Sequence, residues 1–148
     1  MSGTAATADL EAVRRWFESL ADHVRRVDFE GARPLFAEDM IAFGTYSDLL
    51  LGREAAERAQ WRNVWPFIAD FRWRLAELKA AVASDRLGAI GLASFDSTGF
   101  DTAGVRYDRS GRATVAFRRN AVAAPWVAWH THMSLSRGVP QKSYGPKR

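Results

Sequence analysis

The chain has 148 residues, 47% of them apolar, which is the size and composition of one domain with a core of its own. It contains no cysteine, which removes disulfides, thiolate metal ligands and a cysteine nucleophile, and fits a cytoplasmic protein. The formal charge is +4, but arginines and acids are interspersed, as in "GREAAERAQW" and "FRWRLAEL". A surface that tracks phosphates needs a clustered basic stripe, so no nucleic-acid partner is expected. The N-terminal "MSGTAATADLEAV" has neither a basic n-region nor an apolar h-region, and no run approaches the length of a membrane span, so no membrane partner is expected either.

Residues 1–8 are expected as a flexible tail, 9–138 as the folded domain and 139–148 as a basic C-terminal tail. Asp9 is placed to cap a first helix over 9–27, whose Leu10, Val13, Trp16, Phe17, Leu20 and Val24 follow helical spacing. "DFEGARPLFAED" predicts a short second helix, "MIAFGTY" a short strand, and "GREAAERAQWRNVW" a third helix that stops before Pro66. The period then changes to two. "DFRWRLAELKAAVA", "RLGAIGLASFDS", "GRATVAFRRN" and "PWVAWHTHMSLS" alternate as strands, with "TGFDTAGVRYDRSG" between the second and third as loop. Helices first and antiparallel strands after predict an α+β layer fold.

The run "WVAWHTHMSLSRG" carries the most chemistry-bearing residue types. Strict alternation puts Trp126, Ala128, His130, His132 and Ser134 on one face and Val127, Trp129, Thr131, Met133 and Leu135 on the other. The first face has the mixture of a pocket lining and equally that of a wet interface. A bulge near Trp129 would exchange the faces. As a catalytic pair, one histidine could serve as general base with Arg118 on the neighbouring strand stabilising negative charge. As a metal site the pair lacks a third ligand. His23 lies on the first helix without a ligand pattern, and Asp96 or Asp108 would have to supply one, so neither metal nor cofactor is expected. Trp61 and Trp65, four apart, share a face of the third helix and either wall a cavity or fill the core. Asp96 is the candidate acid for an inward-pointing arginine.

The order of elements, with "FAEDMIAFG", "GREAAERAQW", "GRATVAFRR" and "PWVAWHTHMSLSRG", resembles the SnoaL-like branch of the nuclear transport factor 2-like superfamily over Leu10 to Gly138. The resemblance implies a cystatin-like α+β cone, with N-terminal helices packed on a strongly curved, mostly antiparallel sheet enclosing a cavity. It also implies a homodimer through the outer sheet face, with Tyr46 at the cavity mouth. The pocket set is then Trp16, Phe43, Tyr46, Trp61, Trp65, Asp96, Arg118, His130 and His132, with His130, His132 and Arg118 as the catalytic candidates. Steroid isomerases of this superfamily use a tyrosine and two aspartates. Here Trp16 stands at the tyrosine, Phe43 or Gly44 at the first aspartate, and "ATVAF" offers no acid for the second. That type of isomerase is therefore disfavoured. Two readings stay open: a pocket protein that binds or converts a hydrophobic or polyketide-like ligand, and a dimeric binding or assembly module without chemistry.

Overall fold

The structure, a computed structural model, describes residues 3–147, with side chains from residue 7 onward. Helix α1 (Gly3–Arg26) starts six residues before Asp9, because the alanine-rich "GTAATA" propagates a helix well. Its inward stripe is Val13, Trp16, Phe17, Leu20 and Val24, whereas Leu10 is exposed and Asp9 is buried. Asp9 therefore does not cap the helix. It sits inside it, in phase with the apolar stripe, and its carboxylate receives Arg86 Nε at 2.7 Å and Arg119 at 2.9 Å.

The helix ends in a pair of tightening bonds, from Val27 N–H to Val24 O and from Asp28 N–H to His23 O. This closure requires the left-handed region at Val27, which has φ 51°. A β-branched residue pays steric energy there, so Val27→Gly is expected to stabilise the protein by about 1 kcal/mol, read as a higher denaturant midpoint at unchanged slope.

A short helix α2 (Phe29–Ala32), capped by Asp28 through Gly31 N–H, continues as a 3₁₀ turn into strand β1 (Phe36–Phe43). Strand β2 (Leu49–Leu51) hairpins onto β1. The third helix is not regular. Helix α3 (Arg53–Ala56), a π-turn (Glu57–Trp61), α4 (Arg62–Val64) and a 3₁₀ turn (Trp65–Phe67) follow without a break, and Pro66 is accommodated in the first turn of the last piece. The expected single strand "DFRWRLAELKAAVA" is two strands, β3 (Ala69–Trp73) and β4 (Lys79–Val82), separated by a 3₁₀ turn. Both pair with the long β5 (Gly88–Phe100).

Strands β6 (Arg106–Asp108), β7 (Gly111–Arg118) and β8 (Val127–Leu135) complete an eight-stranded sheet whose main path is β2-β1-β8-β7-β5-β3, with β4 and β6 each paired to β5. All pairs are antiparallel except β1 with β8. This is an α+β, cystatin-like fold, with helices on the inner face of an open, mostly antiparallel sheet. An aromatic cluster centres the core. Trp16 meets Phe17, Phe36 and Phe117 edge-on at 4.9 to 5.4 Å, and its indole N–H is satisfied by Leu35 O.

Residues 139–147 run back over the sheet. The buried Ser143 hydroxyl donates to Phe67 O and accepts from Phe100 N–H, and Tyr144 N–H bonds Phe100 O. No helix among the described residues is long and apolar enough to cross a membrane.

Candidate ligand cavity

Strand β8 decides the site. Its register against β7 pairs His130 with Ala116 and Ala128 with Phe117, so Trp129 is an extra residue in the ladder. The face of the strand changes there. Ala128 is inside before the bulge, and after it Thr131 and Met133 line the interior, while His130 and His132 stand on the outer face. Assigning both histidines to the pocket is thus corrected, and the cause is one bulged residue.

Arg118 and Asp96 are also outside. Arg118 pairs with Asp39 of β1 at 2.6 Å, and Asp96 takes a two-pronged contact from Arg74 at 2.8 and 2.9 Å. These arginines hold both carboxyls below the usual range. His130 donates from Nδ1 to Ile41 O at 2.7 Å, His132 packs against the Phe43 ring at 5.0 Å, and His23 is bonded to Asp28. The candidate trio His130, His132 and Arg118 therefore does not face the cavity. His130→Ala with His132→Ala is expected to leave ligand affinity within twofold, measured by calorimetry.

The cavity lies between α1, the irregular third helix and the inner sheet face, with a volume of about 60 Å³. Trp61 and Trp65 form one wall, stacked at 4.9 Å with planes 12° apart, and Phe36, Phe71 and Phe95 contribute further aromatic surface. Phe43 borders the rim. Trp16 is used in the core beside the cavity rather than on its wall. Tyr46 is half-buried next to the rim residues Gly44 and Thr45, held through its backbone by Gln60 and Gln141.

One corner is polar. The π-turn turns Gln60 toward the 44–47 loop, where its Oε1 accepts from Tyr46 N–H at 3.0 Å and Ser47 N–H at 2.9 Å, and its Nε2 donates to Thr45 Oγ1. Opposite stands Arg109, 1% exposed. Sequence reading placed Arg109 in a loop, yet register is unbroken from β7 to β6, with Gly111 opposite Phe95 and Asp108 opposite Thr98. Arg109 thereby continues the buried face of Gly111, Ala113, Val115 and Phe117. That phase was a signal in the sequence: a cation on the apolar parity of a strand. No histidine or carboxylate lines the cavity among the described residues.

Among curated proteins, none matches the chain in sequence. Solved structures do match in fold. LinA superposes with a TM-score of 0.76 at 16% identity, covering 95% of this chain and 94% of its own. A protein of the NTF2-like family from Streptomyces avermitilis gives 0.71 at 20% identity, covering 88% of this chain and 98% of its own. The association domain of C. elegans CaMKII gives 0.65 at 16% identity, covering 86% and 96%. The family profile of the SnoaL-like domain fits residues 13–137, nearly the whole span of helices and strands just described, and on that match the chain belongs to the SnoaL-like domain family.

Proposed function

We propose that this protein binds a small molecule in the cavity behind Trp61 and Trp65 without acid–base chemistry on it. The observation that supports this is the lining: apolar and aromatic walls, one polar corner, and no titratable base among the described lining residues. About 60 Å³ is well below the few hundred cubic ångströms of a drug-sized pocket, so the ligand is compact, or its binding moves the irregular helical wall. Titration with benzyl alcohol and indole, followed by tryptophan fluorescence, tests it. Saturable quenching that weakens when Trp61→Leu removes half of the stacked wall is the expected result, and no saturable response to either probe overturns it.

A second reading concerns assembly, and the outer sheet face favours it. Two rows of side chains cross five strands there in register: Leu51, Ile41, His130, Ala116 and Ile90 in one, and Leu49, Phe43, His132, Thr114 and Leu92 in the other. Ile41, Phe43, Leu49, Leu51, Ile90 and Leu92 are all exposed. A self-complementary apolar face of this kind suits a two-fold dimer. Light scattering at micromolar concentration should give the dimer mass, with Leu92→Glu shifting it toward the monomer. A monomeric wild-type protein ends this reading.

A further inference from the structure

We propose that Arg109 is an anion anchor and that the ligand of this cavity is a compact aromatic or alicyclic acid carrying a single carboxylate. The inference rests on the cavity being a ligand site and adds the charge and shape of what enters it.

The fold treats its other buried or bridging arginines differently. Arg119 is satisfied by Asp9 and lies 3.8 Å over the Trp126 ring, Arg33 is held by Glu57 at 2.6 Å, and Arg74, Arg86 and Arg118 each have a carboxylate. Arg109 has none among the described residues, although it is among the most buried large side chains of the molecule. Its contacts are hydroxyls: Thr45 Oγ1 at 3.0 Å, and Ser97 Oγ at the limiting distance of 3.5 Å. Its Nε–H is buried without a partner.

The surrounding groups are short of acceptors. Ser97 already donates to Arg109 O at 2.6 Å. Thr45 Oγ1 receives two donors, from Gln60 and Arg109, so its own proton points elsewhere. Gln60 Oε1 is taken by two backbone N–H groups. A positive charge, an unused Nε–H and a spare hydroxyl proton thus meet at one end of an apolar space, where the only acceptors are the neutral hydroxyls of Thr45 and Ser97 and no anion faces the guanidinium among the described residues. Burial pushes the guanidinium down to about 10, which leaves it cationic at neutral pH.

Two carboxylate oxygens match a guanidinium fork and would supply the missing acceptors. The rest of the ligand then lies on the Trp61 and Trp65 side, where a flat or compact ring fits the stacked indoles. A second negative charge would be buried without a partner, so dianions are excluded by the same argument.

The test compares benzoate and phenylacetate with benzamide and phenylacetamide, near-isosteric neutral probes, by calorimetry on the full chain. The acids should bind at least tenfold tighter than the amides. Arg109→Met should weaken the acids far more than the amides and so remove that preference, and Arg109→Lys should restore part of it, which a merely structural arginine would not show. Amides binding as tightly as acids overturns the anchor and leaves the cavity reading intact. If neither probe class binds the wild-type protein, the cavity reading falls and the anchor with it.

Discussion

Asp9→Asn is expected to destabilise the protein by about 3 to 5 kcal/mol, the usual cost of stranding one partner of a buried ion pair. For a chain of this size that corresponds to a fall of roughly 10 °C in melting temperature. Asp9 is 2% exposed and joins the first helix to Arg86 and Arg119, which lie far along the chain on either side of β5 and β7. The substitution keeps the shape of the side chain and removes its charge, leaving Arg119 buried over Trp126 with no anion. The same carboxylate makes stability depend on pH. Hydrogen bonds from Arg86, then those from Arg119, hold its carboxyl down to about 2 against an ordinary 3.8. A carboxyl depressed in the folded state contributes fully above its unfolded value. That contribution, about 2 kcal/mol, is lost as pH falls from about 4 through about 2. Melting curves of wild type and Asp9→Asn should therefore lie far apart at pH 7 and converge toward pH 2. Parallel curves across that range would contradict the assignment.

Arg109→Met should act in the opposite direction. An unpaired guanidinium in an apolar cavity is costly, and an unbranched thioether of similar length fills the space without a charge to desolvate. The variant is expected to gain about 1 to 3 kcal/mol in the ligand-free state, seen as a higher urea midpoint. The gain is the signature of a residue kept for what it binds. Loss of stability would instead mark Arg109 as a strut between the 44–47 loop and β5.

The split of the chain into helices followed by strands, and hence the α+β class, was readable because the period of apolar residues changes cleanly near residue 69. The stripe Val13, Trp16, Phe17, Leu20 and Val24 and the pairing of Trp61 with Trp65 came from spacing alone, since both depend on helix geometry that local sequence sets. The inside of the sheet did not. The bulge at Trp129 is visible only in the pairing with the neighbouring strand, and alternation carried blindly through it exchanges His130 and His132 with Thr131 and Met133. The two short strands β2 and β6 are three residues each and have no period to detect. Arg109 was missed for a related reason: a glycine-rich, polar neighbourhood resembles a loop even where the ladder continues through it.

The parallel contact of β1 with β8 sets Ile41 beside His130. All the other strands of the sheet, except the β2 hairpin, are made in the interval between them, so one backbone edge of β1 has no strand to pair with until the last strand exists. During synthesis the chain must therefore carry Ile41, Phe43, Leu49 and Leu51 with an open strand edge through most of translation. The nascent protein is most prone to associate with its neighbours in that interval, and release of residues 127–135 from the ribosome closes the vulnerable edge.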